Sequence, residues 1–61
     1  MSDSNKIIIW RVFGEGWYLR CIKNEIIVSQ QGPFKSKPGK IKMVSLRWKY
    51  FNGDEVKEIL L

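Results

Sequence analysis

Sixty-one residues make one small domain, and a chain of that size buries only about 60% of the surface its unfolded form exposes. One cysteine and no histidine exclude an internal disulfide and a Cys/His zinc site, and remove the commonest general base. With six carboxylates in no catalytic pairing, the composition points away from an enzyme, a cofactor or a metal; the net charge of +5 is what a function has to use.

Residues 1–5 are polar and read as a disordered N-terminus, with a single domain over residues 6–61. They lack the charged-then-apolar layout of a signal peptide, and no run approaches the roughly 18 apolar residues of a membrane span. A lone thiol then fits a reduced, cytoplasmic setting. The chain has no alanine or threonine but eight isoleucines and eight lysines. That coding bias points to an AT-rich genome such as that of a virus or mobile element, with the host cytoplasm as the location in the viral case.

The first predicted strand is Lys6 to Phe13, β-branched and aromatic. Gly14-Glu15-Gly16 marks a turn. Trp17 to Ile22 is a second strand, Lys23-Asn24 a short break, and Glu25 to Ser29 a third strand. Gln30 to Gly39 holds both prolines and two glycines and reads as a connector. Residues 40–51 support two periods. As a helix they place Ile41, Val44, Trp48 and Phe51 on one face, leaving Met43, Leu46 and Tyr50 on another. Ser36 is then the cap, with Pro38 tolerated in the first turn. As a strand, Val44, Leu46, Trp48 and Tyr50 alternate with polar residues. Asn52-Gly53 stops either element, and Glu55 to Leu60 is a final strand. The fold is therefore α+β, a three-stranded antiparallel meander, one helix and a final strand (β-β-β-α-β). The alternative is an all-β five-stranded small barrel of the SH3-like or OB kind.

Tyr18-Leu19-Arg20, Asn24-Glu25-Ile26-Ile27, Ser29, Gly32 and Ser36-Lys37 together resemble the small YegP-type domain family, over residues 17–37. The glycine that usually follows the asparagine is missing, and Pro33 precedes Phe34. The resemblance implies a β-β-β-α topology, often in repeated or paired units, and no catalytic residue.

The charge is unevenly spread. No acid lies between Glu25 and Asp54, an interval that carries Lys35, Lys37, Lys40, Lys42, Arg47 and Lys49. Such a one-sign block attracts polyanions. If Glu15-Gly16 and Lys23-Asn24 are two-residue turns, one sheet face gathers Ile8, Trp10, Val12, Leu19, Cys21, Ile26 and Val28 as the core. The other carries Arg11, Phe13, Tyr18, Arg20 and Ile27. Arginines and aromatics on an open sheet suit single strands or a protein interface. Using Gly14 to Gly16 as the loop instead slides Arg11 opposite Leu19 and dissolves that platform. Trp10 and Trp48 read as core, Trp17 as partly exposed, and Cys21 as a small core residue rather than a nucleophile.

Two functional readings follow. One is a basic, non-enzymatic module contacting nucleic-acid backbone without strong sequence preference, through Lys35 to Lys49 with Arg11, Arg20 and Tyr18 assisting. The other is a viral or mobile-element protein-interaction factor that binds an acidic host protein. It would act as a homodimer or by strand addition, with Phe13, Tyr18 and Ile27 at the interface. Neither reading involves a membrane.

Overall fold

The computed structural model describes residues 4–61. Three antiparallel strands come first: β1 (Lys6–Val12), β2 (Gly16–Lys23) and β3 (Ile26–Phe34). Helix α1 (Lys40–Phe51) follows, then β4 (Lys57–Leu60). The strands form one mixed sheet in the order β3-β2-β1-β4, with β4 parallel to β1. The helix form of residues 40–51 and the β-β-β-α-β order are thus realised, and the five-stranded barrel is not.

The hairpin register differs from the expected one. The first loop is Phe13-Gly14-Glu15, closed by the Glu15 N–H donating to the Val12 carbonyl at 3.0 Å. Gly14 takes the left-handed backbone there, at φ +85°. Gly16 is already in the strand, opposite Val12. Ile9 therefore faces Leu19 and Ile7 faces Cys21, where the sequence reading had Val12 and Trp10. The slip is three residues, an odd number, so every side chain of β1 changes face. The second turn is Asn24-Glu25, both at positive φ, the pairing that suits a two-residue hairpin. The turn pairs Lys23 with Ile26 and Ile22 with Ile27. A bulge between Cys21 and Ile22 then shifts the register by one more residue, so that Cys21 lies opposite Ser29 and Leu19 opposite Gln31 rather than Ile26 and Val28.

β3 also runs on through the expected connector to Phe34. Pro33 is tolerated because β3 is an edge strand and needs no outward donor. Gly32, at φ +137°, lies under the Tyr18 ring; a Cβ there would come within 2.6 Å of it.

The core lies between α1 and one face of the sheet. It consists of Ile7, Ile9, Leu19, Cys21, Met43, Leu46 and Phe51, with Trp17, Phe34, Tyr50 and Val56 packed around it. The core face is thus Ile7 and Ile9, not Ile8, Trp10 and Val12. The helix is likewise rotated from the expected face. Met43, Leu46 and Phe51 point inward, while Ile41, Val44 and Trp48 are exposed. The α1 N-cap is Gly39, with no side-chain cap, so Ser36 does not cap the helix and Pro38 precedes it. Asn52 closes α1 in the left-handed conformation.

Of the N-terminal segment read as disordered, residues 1–3 lie outside the described residues. Asn5 is 5% exposed. Its side-chain amide donates to the Glu55 carbonyl at 3.3 Å, and its own carbonyl accepts the Lys57 N–H at 3.0 Å. The Ser4 carbonyl accepts the Asn24 N–H at 3.1 Å. The folded unit therefore begins before β1.

Candidate nucleic-acid interface

Helix α1 has no acidic residue in its first turn and a basic one, Lys49, in its last. Its inward side is taken by Met43, Leu46 and Phe51, with the partly buried Tyr50 beside them. A helical period of 3.6 residues then sets Ile41, Ser45 and Trp48 along the outer ridge, with cations on both flanks. Lys40 and Arg47 lie on the flank toward β4, beside a groove that Val44, Leu60 and Glu58 also line. Lys42 lies on the flank toward β3, with its Nζ 5.3 Å from the centre of the Phe34 ring. Lys49, seven residues further on, continues that row, with its Nζ 5.5 Å from the Tyr50 ring centre. Each row spans about 10 Å along the helix axis. Lys35 and Lys37 extend the cationic surface into the loop before α1 and are exposed.

The ridge between these rows is apolar. Ile41 is 89% exposed and Trp48 is 62% exposed. The Trp48 ring is seated against Gly53, where a Cβ would come within 2.7 Å of it. The sequence reading put Trp48 in the core and so missed it as a surface aromatic. The signal was there. Met43, Leu46, Tyr50 and Phe51 form an alternative inward stripe, and Gly53, at φ +80°, leaves room for an indole to fold over the helix end.

The expected helpers from the sheet do not join this surface. Tyr18 and Arg20 alternate with Leu19 and Cys21 and so occupy the face opposite α1. Arg11 pairs with Trp17 on the α1 side of the sheet and is exposed. Phe13 sits at the tip of the first loop, 92% exposed. Ile27, 53% exposed, pairs with Ile22.

On the face away from α1 the side chains satisfy one another. Trp10 and Tyr18 stack with centroids 5.6 Å apart and 13° between planes. The Arg20 guanidinium lies 5.2 Å from the Trp10 ring centre, and its Nε donates to Gln30 Oε1 at 2.9 Å. The Tyr18 hydroxyl donates to Glu15 Oε1 at 2.5 Å. That hydrogen bond first, then desolvation and the Glu15 charge, raises the phenol above its ordinary pKa.

Cys21 is fully buried. Burial raises its thiol pKa, and the Lys42 charge only partly offsets this. A protonated, enclosed thiol is a poor nucleophile. Among the described residues no cluster of His, Cys, Asp or Glu is placed to hold a metal ion. No helix among the described residues is long and apolar enough to cross a membrane.

No protein-family model, no curated protein and no solved structure matches this chain. The reading of the site rests on its own geometry.

Proposed function

We propose that this chain is a non-enzymatic nucleic-acid-binding module that grips the phosphate backbone with α1 and the loop before it. One observation carries the reading. Two rows of cations, Lys40 and Arg47 on one flank and Lys42 and Lys49 on the other, border an exposed Trp48 with no acid between them. The rows bind phosphate, and the indole adds a stacking or sugar contact. Backbone contacts carry no base information, so binding is weakly dependent on sequence.

The test is fluorescence anisotropy of labelled DNA and RNA oligonucleotides across a salt titration. With six phosphate contacts, affinity falls about a thousandfold between roughly 50 and 200 mM salt. No binding to either nucleic acid at low salt overturns the reading.

The groove between α1 and β4 supports a second reading, an acidic protein segment added alongside β4. Lys40 and Arg47 stand over it, Val44 and Leu60 line it, and β4 is an edge strand. This reading predicts one stoichiometric protein partner recovered after nuclease treatment and lost on Leu60→Glu.

A further inference from the structure

The sheet carries apolar residues on both faces, but α1 covers only one. β1 contains the unbroken run Ile7-Ile8-Ile9-Trp10. Runs of this kind belong to strands covered on both sides, whereas a strand with one wet face alternates apolar with polar. Ile7 and Ile9 are in the core. Ile8, Trp10 and Val12 point the other way, joined by Tyr18 and Ile22 of β2. Pairing adds Ile59 beside Ile8 and Ile27 beside Ile22.

We infer that a second copy of this chain covers that face, giving a two-fold dimer with two sheets inside and two α1 helices outside. The inference stands apart from the nucleic-acid reading, which concerns the opposite surface. Three observations favour a second copy over nucleic acid or an unrelated partner. First, the Trp10 and Tyr18 rings stack on each other, and Tyr18 also lies against Gly32. They do not present the free aromatic faces that base stacking needs. Second, the charges at the two ends of the face are complementary. Lys6 and Lys57 are paired neighbours at one end, where the single acid Glu25 in the adjoining turn leaves an excess of positive charge, and Glu15 lies in the loop at the other. A two-fold axis in the interface plane and perpendicular to the strands sets each lysine end against the partner's Glu15 loop. The same operation brings the exposed Phe13 of that loop to the partner's far rim. Third, the size fits. Strands of seven, eight, nine and four residues make a face of roughly 20 by 20 Å. Two such faces with their side-chain relief bury on the order of 1,000–1,200 Å², the threshold for a specific interface. By contrast, the exposed Ile41–Trp48 ridge is flanked by cations that repel a second copy of themselves.

The experiment is sedimentation velocity on the full chain, free of nucleic acid, at concentrations up to about 0.5 mM and in high salt. The expected species has twice the 7.2 kDa chain mass. Ile27→Lys, at a position already half exposed, and Val12→Lys are each expected to weaken association at least tenfold while circular dichroism stays unchanged. Ile41→Lys on the outer ridge leaves the dimer intact. A wild-type chain that is monomeric throughout overturns the inference. So does a dimer weakened by Ile41→Lys and untouched by Ile27→Lys. Because no nucleic acid is present, neither result depends on whether α1 binds it.

Discussion

The Trp48 indole lies over Gly53 so closely that a Cβ on the glycine would come within 2.7 Å of the ring. Gly53 also holds φ +80°, a backbone that other residues adopt only with strain. Gly53→Ala therefore lifts the indole and strains the turn together. The expected cost is about 1–2 kcal/mol of stability, read as a lower thermal midpoint. Nucleic-acid affinity should fall as well if the seated indole is part of the interface.

Single charge removals on α1 test how phosphate is held. Lys40→Ala, Arg47→Ala and Lys49→Ala are each expected to reduce the slope of log affinity against log salt by about one. The loss should be similar for unrelated oligonucleotide sequences. Arg20→Ala is the control, since its side chain lies on the opposite face of the sheet against Trp10 and Gln30. It should leave the slope unchanged.

The two sides of α1 should respond very differently to truncation. Phe51 is fully buried and Leu46 nearly so. Phe51→Ala should cost about 3–5 kcal/mol and Leu46→Ala about 2–5 kcal/mol. A single core this small supplies only about 3–5 kcal/mol in total, so Phe51→Ala should be largely unfolded by circular dichroism. Ile41→Ala, on the exposed ridge, should change stability by no more than about 0.5 kcal/mol.

Cys21 gives a pH test. Its thiol pKa is raised in the folded chain, chiefly by burial. Below the ordinary thiol value both folded and unfolded chains keep the proton. Above it the unfolded chain releases the proton first, so stability present at neutral pH is lost as pH rises through the thiol range. Chemical denaturation at stepwise alkaline pH should show a falling midpoint, and Cys21→Ala should flatten the part due to the thiol. Labelling of the native thiol by a disulfide reagent should be slow and limited by opening of the fold.

The architecture was legible from local chemistry. Gly14, Asn24 and Asn52 each mark a reversal, and the runs between them have clear character. What misled was parity. Glycines at 14 and 16 allow loops of two or three residues at several offsets. A strand apolar on both faces, such as Ile7 to Trp10, then gives no pattern to choose among them. The same ambiguity acted on α1, whose apolar residues outnumber one helical stripe. Both Ile41-Val44-Trp48 and Met43-Leu46-Tyr50 have helical spacing, and only packing against Leu19 and Cys21 decides between them. The basic block was legible because charge needs no register. Its separation from Tyr18 and Arg20 was not, since that depends on which sheet face α1 covers.

The pairing of β4 with β1 has a mechanical consequence. The two strands run side by side in the same direction, matched from Lys6 with Lys57 to Ile9 with Leu60. Tension drawn outward from Lys6 along β1 and from Leu60 along β4 pulls neighbouring strands past each other lengthwise. The bonds between them then bear the load together in shear instead of opening one at a time like a zipper. A protein with little thermodynamic reserve is in this direction built to resist being pulled apart.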